Sequence, residues 1–141
     1  MKSAAAAALV EAARQRLADL ADAVPDLQLL ILFGSTVKGR ARAGSDLDLA
    51  VWCDGPADLD ALYLPVAARL ETDRLDLIDL RRAGPLLGFE VARTGLPLFE
   101  RHHGAFRQFQ ALASRRYCDT AKLRRAQRRA IQVFLEREGL A

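Results

Sequence analysis

The sequence predicts a mixed α/β fold (α+β), in which a small mixed β-sheet is flanked by helices and followed by a C-terminal helical tail. Its length of 141 residues suits one domain. Hydrophobic residues make up 51% and charged residues 28% of the chain, a balance that can bury a core. Short apolar runs alternate with stretches of helical spacing, which is typical of strands separated by helices. We therefore expect residues 1–141 to form a single domain, with a basic helical tail at 101–141 within it.

A helix opens the chain and a buried strand follows it. Ser3 is a suitable N-cap, and the apolar residues after it recur at helical spacing until Val24-Pro25 stops the helix. The run from Leu27 to Phe33 is almost wholly apolar and ends at Gly34-Ser35. Such a run is typical of a strand that is covered on both faces.

Two further strands enclose the next helix. Asp46 to Trp52 predicts the second strand, because polar or small residues alternate there with Leu and Val. A helix is expected from Pro56 to about Asp73, and Pro65 should kink or divide it because proline has no N–H. Leu75 to Leu80 is the third short strand.

The last third of the chain begins with one more helix and strand. Pro85 to Thr94 predicts a helix that Gly95 ends, and Leu96 to Phe99 predicts an edge strand. The tail is helical, with two apolar stripes: Phe106, Phe109, Ala113 and Tyr117, then Leu123, Ala126, Ala130 and Phe134. The step between the stripes breaks the helical phase, which indicates either one helix with a rotating buried face or two helices that meet near Asp119.

The tail concentrates the positive charge of the chain. Residues 101–141 hold 10 Lys and Arg against 3 Asp and Glu, a charge of +7. Residues 1–100 hold 11 against 15, a charge of −4. A basic tail of this kind is either a solvated helix face or a contact for an acidic protein surface or a nucleic acid.

Nothing in the sequence indicates a membrane, a secretory signal or a structural metal. No apolar run approaches the 18 or so residues that span a bilayer. Cys53 and Cys118 lie far apart without a partner at metal-ligand spacing, so neither a disulfide framework nor a zinc site is expected. We expect a soluble cytoplasmic protein.

A carboxylate pair and a Gly-Ser turn predict the chemistry. Asp46 and Asp48 are one residue apart, so in a strand both project from the same face, about 7 Å apart. A bridging divalent cation would offset their repulsion, and Mg²⁺ prefers oxygen ligands. At Gly34-Ser35 the backbone can approach a ligand closely, and amides beyond the glycine can face a phosphate. The pattern predicts metal and phosphate at one site.

A third carboxylate comes from the third strand. Asp76 and Asp79 are three residues apart and point to opposite faces, so only one of them can join the pair. We choose Asp76, because it lies near the beginning of its strand, as Asp46 does. Asp79 is then a structural residue.

The segment from Phe33 to Trp52 resembles the nucleotidyltransferase superfamily of DNA polymerase β. The hallmark of that superfamily is Gly-Ser, about ten residues and then Asp-x-Asp, and here ten residues separate Gly34-Ser35 from Asp46-Leu47-Asp48. Most of the chain is similar to the minimal nucleotidyltransferases, or MNT proteins, in the stretch 75–100 and in the helical ending. In the antitoxin branch of that family, the protein pairs with a HEPN-domain RNase toxin and silences it by transferring AMP from ATP onto a toxin tyrosine.

The resemblance implies a polymerase-β-like fold, a Mg²⁺-dependent protein adenylyltransferase with a two-metal site, ATP as substrate and a hetero-oligomer with a HEPN toxin. Asp46 and Asp48 would ligate both metals, and Asp76 would bind the catalytic one and help deprotonate the acceptor tyrosine. The implied nucleotide-binding residues are Gly34, Ser35, Lys38, Arg40, Arg42 and Ser45.

The phosphate-binding loop departs from the family pattern. The family commonly has Arg-Ala-Arg-Gly after Gly-Ser, whereas this chain has Thr36-Val37-Lys38-Gly39. Lys38 would then bind phosphate as a point charge instead of a fork, with Arg40 or Arg42 compensating. Ser45 either contacts the nucleotide or stabilises the turn.

Two other functions compete with protein adenylylation. A nucleotidyltransferase of a small molecule usually adds a domain that closes over the acceptor, and 141 residues leave little room for one. A non-catalytic antitoxin that acts by occlusion would give no reason for three carboxylates at this spacing. Nucleic acid is not expected as a direct substrate.

Overall fold

The computed structural model of the chain describes residues 4–37 and 46–140. Its strands are β1 (Leu27–Phe33), β2 (Leu47–Cys53), β3 (Leu75–Asp79) and β4 (Leu96–Glu100), which form one sheet in the order β3-β2-β1-β4. β1 is antiparallel to both β2 and β4, and β2 is parallel to β3. The sheet is therefore mixed, with β4 at an edge, as the sequence predicts.

Helices cover both faces of this sheet. The helices of the described residues are α1 (Ala4–Arg16), α2 (Leu20–Ala23), α3 (Leu59–Leu70), α4 (Pro85–Thr94), α5 (Ala105–Asp119) and α6 (Ala121–Arg137). The helices α1, α2 and α3 pack on one face, and α4 and α5 pack on the other. None of the helices in the described ranges is long and apolar enough to cross a bilayer.

The predicted burial of the first strand on both faces is confirmed. Leu30 joins the core beneath α1 to α3, its neighbour Ile31 joins the core beneath α4 and α5, and both are fully buried. The small residues Ala92 and Ala113 let α4 and α5 lie close to the second face. A strand with two covered faces reads as a continuous apolar run because neither set of side chains meets water.

The first helix is shorter than the sequence predicts. α1 ends at Arg16, a turn follows, and α2 begins at Leu20. Leu17 and Leu20 flank this turn and are both fully buried. The break brings both leucines into the core on the α1–α3 face. The predicted cap Ser3 lies outside the described residues.

The third helix differs from the prediction at its start and in its middle. It begins at Leu59 and not at Pro56, because the Asp58 carboxylate caps it by accepting a hydrogen bond from the Ala61 N–H at 3.1 Å. Pro65 lies inside α3 without dividing it. The missing N–H leaves the Ala61 carbonyl without its helical partner, and Ala61 is exposed, so water can take that bond.

The tail is two helices, as one of the two sequence-based alternatives has it. Thr120 separates α5 from α6, and its hydroxyl donates to the Arg116 carbonyl at 2.9 Å. Phe109 and Ala113 of the first stripe are buried against the sheet. The second stripe is different, because α6 buries none of its residues.

Candidate active site

Strand register brings the predicted site residues to one end of the sheet. Asp48 lies opposite Phe33 in the pairing of β1 with β2, directly before the turn that begins at Gly34. On its other side, Asp48 lies opposite Asp76 in the parallel pairing of β2 with β3. The Gly-Ser turn and two carboxylates therefore sit on three neighbouring strands.

The carboxylates also share a face. Asp48 alternates with Ala50, which packs beneath α4 and α5, and Asp76 alternates with Ile78, which packs on the same side. Asp46 lies two residues before Asp48, just outside the strand, and is exposed. Asp48 is half-buried and Asp76 is exposed, so the end of the sheet that they form is open to solvent.

Asp79 lies on the opposite face and has structural partners. It is 8% exposed, and its two carboxylate oxygens accept from the Ala57 N–H at 3.4 Å and from the Arg81 N–H at 3.0 Å. These bonds tie the loop before α3 and the turn after β3 to the sheet. The observed contacts agree with the structural role that the sequence assigns to Asp79.

Gly34 is required by the carboxylate beside it. Its φ angle is +79°, in the left-handed region that favours glycine. A Cβ at this position would lie 2.4 Å from Oδ2 of Asp48. The turn therefore approaches the carboxylate more closely than any other residue would permit, and the backbone amide of Ser35 hydrogen-bonds to that carboxylate.

The electrostatics of Asp48 disfavour its negative charge. Burial raises the pKa of its carboxyl above the usual range, and the negative charges of Asp76 and Asp46 raise it further. The backbone hydrogen bond from Ser35 acts in the opposite direction. Three carboxylates that repel one another would be stabilised by a divalent cation.

The donor atoms of the three carboxylates are of the kind that Mg²⁺ prefers, although the carboxylates do not lie close enough together to form a metal centre by themselves. Within residues 4–37 and 46–140, no three His, Cys, Asp or Glu side chains form a group that could hold a metal as they stand. Asp46, Asp48 and Asp76 offer only oxygen donors, on one face and at one end of the sheet, and Mg²⁺ is bound through one or two carboxylates together with substrate phosphates. Oxygens from a substrate phosphate would complete the ligand shell.

The remaining predicted phosphate ligands are not covered by this geometry. Lys38, Arg40, Arg42 and Ser45 lie outside the described residues. Thr36 and Val37, which directly follow the Gly-Ser turn, are half-buried. Val37 packs against the core beneath α1 to α3, which fixes the start of the loop.

The structure also shows a cationic cluster that sequence reasoning missed. Arg81 and Arg116 lie near the Trp52 ring, at 5.5 and 5.8 Å from its centroid, and Phe109 lies 6.0 Å away on α5. These contacts pack the Trp52 ring between α5 and the turn after β3. Spacing gives one signal, since Arg116 follows Phe109 by two helical turns, but Arg81 reaches Trp52 only through strand pairing.

The family model described as Polymerase beta, Nucleotidyltransferase matches residues 15–104. This range includes all four strands and the three carboxylates of the site. The chain therefore belongs to the polymerase β nucleotidyltransferase family. Its mixed sheet and helical ending agree with the fold that the resemblance predicts.

Within this family, the chain is similar to protein adenylyltransferases and to a chain of a toxin–antitoxin complex. The chain is 30% identical over 131 residues to the protein adenylyltransferase MntA of Aphanizomenon flos-aquae, covering 83% of this chain and 86% of the relative. A crystal structure of a toxin–antitoxin with AMP-PNP contains a chain that is 29% identical, with a TM-score of 0.64, covering 87% of this chain and 98% of the other. The predicted resemblance to the minimal nucleotidyltransferases is confirmed.

A second solved structure shows the same fold in a modified complex. It contains the tri-AMPylated HEPN toxin of Shewanella oneidensis together with its MNT antitoxin. The matched chain is 27% identical with a TM-score of 0.60, covering 90% of this chain and 98% of the other. The similarity thus extends beyond the matched residues 15–104 to most of the chain.

Proposed function

We propose that this protein is a cytoplasmic antitoxin that transfers AMP from ATP to a tyrosine of a partner HEPN-domain RNase toxin and so neutralises it. The observation that carries the proposal is the register that pairs Asp48 with Asp76 beside the Gly34 turn. MntA of Aphanizomenon flos-aquae, which is named a protein adenylyltransferase, supports the reaction. The structure with AMP-PNP supports ATP as the nucleotide.

In this mechanism the Gly34 turn binds the triphosphate. The absence of a side chain at Gly34 lets the turn lie directly against the Asp48 carboxylate, and the hydroxyl of Ser35 can donate to a phosphate oxygen. Lys38, Arg40 and Arg42 would neutralise the charge that develops on the departing pyrophosphate. Ser45 would either bind the nucleotide or stabilise the end of the loop.

The carboxylates hold the metals and accept a proton. Asp46, Asp48 and Asp76 would bind two Mg²⁺ ions, which when bound supply charge stabilisation for the α-phosphate and the leaving group. Asp76 would accept the proton of the acceptor tyrosine hydroxyl through a carboxylate oxygen. The phenolic oxygen then forms a bond to the α-phosphorus while the bond from that phosphorus to the pyrophosphate oxygen breaks.

The direct test is intact-mass analysis of a candidate HEPN-domain partner from the same organism. After incubation with the full chain, ATP and Mg²⁺, we expect the partner to gain AMP units, and fragmentation should assign them to tyrosine. A chelated reaction and the Asp46→Asn/Asp48→Asn double variant serve as controls, and neither should transfer AMP.

Other results of this test would select the competing functions. An unmodified partner whose RNase activity is still inhibited would indicate occlusion. An unmodified and uninhibited partner, with AMP transferred to an aminoglycoside instead, would indicate a small-molecule nucleotidyltransferase.

A further inference from the structure

The last helix exposes its apolar side. Leu123, Ile131 and Phe134 are 57%, 58% and 57% exposed, which is unusual for such large side chains at helical spacing. Together with their neighbours on the same side they form a surface that we call the α6 stripe: Leu123, Ala126, Ala130, Ile131, Val133 and Phe134.

The α6 stripe has no cover within the described part of the chain. Not one residue of α6 is buried, although the helix is 17 residues long. Helices of about 15 residues are only marginally stable alone in water, and most gain their stability by packing an apolar face against another element. The stripe is about 17 Å long from Leu123 to Phe134 at 1.5 Å per residue, which matches the geometry of a helix that packs in the groove of another protein.

A ring stack fixes the beginning of α6 to the rest of the molecule. The rings of Phe89 on α4 and Tyr117 on α5 are stacked, with centroids 4.1 Å apart, and the Arg124 guanidinium lies 3.7 Å above Tyr117. Arg124 also donates to the Thr120 hydroxyl. These contacts use Arg124 and not the α6 stripe, so α6 is attached while its apolar side stays free.

Charge decides what kind of partner can cover the stripe. α6 has six basic residues, Lys122, Arg124, Arg125, Arg128, Arg129 and Arg137, against one acidic residue, Glu136. Two copies of α6 packed side by side would bring these charges together, which opposes a dimer through this helix. An apolar groove with an acidic rim would bury the stripe and pair with the arginines beside it.

We propose that the α6 stripe is the surface through which the protein recruits the toxin that accepts AMP, and that this toxin presents an apolar groove flanked by carboxylates. The inference rests on the proposed function for the identity of the partner. It adds a division of labour, because recognition lies on α6 while the carboxylates and the Gly34 turn lie on the sheet. Loss of the stripe should therefore raise the toxin concentration needed for transfer without changing the site that binds ATP.

The test compares two double variants of the full chain. Leu123→Ser/Phe134→Ser removes the large apolar side chains at the two ends of the stripe. Ala121→Ser/Gln132→Ser changes two uncharged residues on the opposite side of the same helix and serves as the matched control. Circular dichroism should give the same helix content for both, and calorimetry should give the same ATP affinity.

The readouts are partner affinity and the dependence of AMP transfer on partner concentration. For the stripe variant we expect at least a tenfold weaker affinity and a matching rise in KM, with kcat within twofold of the parent. The control variant should keep both values. Partner affinity of the stripe variant within twofold of the parent would overturn the inference, and so would a dimer of the parent alone that the stripe variant dissolves in sedimentation.

Failure of this inference can be told apart from failure of the proposed function. If the parent transfers no AMP but its partner binding depends on the stripe, the docking surface stands and the catalytic proposal fails. If the parent transfers AMP and binding ignores the stripe, the catalytic proposal stands and the docking surface fails.

Discussion

The central sheet and the last helix carry equally regular apolar patterns, but only the sheet buries them. Leu30 and Ile31 of β1 are fully buried on opposite faces, whereas Leu123 and Phe134 of α6 are both 57% exposed. The pattern of a sequence predicts which side chains share a face. What covers that face depends on the other elements, and α6 has no element of its own chain across its stripe among the described residues.

The two regions also differ in what stabilises them. Each large aliphatic side chain buried in the sheet contributes about 1.5–3 kcal/mol through removal from water. The stack of Phe89, Tyr117 and Arg124, which attaches α6, contributes roughly 1–2 kcal/mol in total. The sheet is therefore stabilised by the helices of its own chain, while α6 gains most from a partner.

The largest expected effect comes from Asp48, on the catalytic side of this comparison. Asp48→Asn keeps the shape of the side chain but removes a charge from the metal-binding set, and loss of several kcal/mol of charge stabilisation should slow AMP transfer at least a hundredfold. Initial rates with saturating ATP and Mg²⁺ measure it. Affinity for the toxin should stay within twofold, because the α6 stripe is intact. Transfer at the parental rate would show that Asp48 is not a metal ligand.

Asp48→Asn should also change how the melting temperature depends on pH. The folded-state pKa of Asp48 is raised, so the ionised carboxylate costs stability at neutral pH. This cost disappears as pH falls through that pKa towards the ordinary pKa of an unfolded aspartate. Without Mg²⁺, Asp48→Asn should melt slightly above the parent at pH 7, and the difference should shrink in acid. Calorimetric melting at both pH values checks it. A parent that is the more stable of the two at pH 7 would contradict the assigned repulsion.

Gly34→Ala should be the next largest change. The new Cβ would lie 2.4 Å from Oδ2 of Asp48 at a φ of +79°, so both strain and a displaced carboxylate are expected. The free energy of unfolding should fall by about 1–3 kcal/mol, and AMP transfer should fall with it. Denaturant unfolding and initial rates measure the two effects.

Gly88→Ala is the matched control for that change. Gly88 lies inside α4, and a Cβ there meets nothing within 4 Å. Alanine should therefore stabilise the protein by about 0.5–1 kcal/mol and leave transfer unchanged. Equal behaviour of the two variants would mean that the close approach of Asp48 to Gly34 does not exist in solution.

The sequence predicts those elements whose burial has a local pattern, and misses those that depend on contacts with other segments. The alternation around Asp48 and the apolar run of β1 predict the strands, because burial on a sheet has a local signature. The choice of Asp76 over Asp79 also follows from alternation, together with the expected pairing of two strands. The beginning of α3 was not predictable from Pro56, since it depends on the side-chain cap of Asp58.

Contacts between distant segments escaped prediction for a physical reason. The approach of Arg81 to Trp52 depends on how β3 lies beside β2, and no spacing within one segment encodes it. The exposure of the α6 stripe was equally hidden, because a stripe that packs inside its own chain and one that packs on a partner have the same period.

Charge reversal on α6 should have a moderate effect that depends on salt. Arg125, Arg128 and Arg129 are exposed and do not belong to the stack that holds Arg124, so their replacement by Glu should leave the attachment of α6 intact. Toxin affinity should fall severalfold at low ionic strength and recover partly at 0.5 M salt, as roughly expected from screening of exposed charges, while ATP binding persists. Titration at two salt concentrations measures it. Unchanged affinity at low salt would mean that these arginines are only a solvated face.

The smallest expected effect is a difference in thiol labelling between the sheet and the tail, which involves no residue of the proposed active site. Cys53 ends β2 in the core, and burial, followed by the negative charges of Asp79 and Asp26, raises its pKa to about 11. Cys118 near the end of α5 is exposed. Because thiolates are the reactive form, a thiol reagent at pH 8 should label Cys118 rapidly and reach Cys53 only after denaturation. Peptide mapping of the native and unfolded protein assigns the sites, and rapid native labelling of Cys53 would show that the sheet opens as readily as the tail.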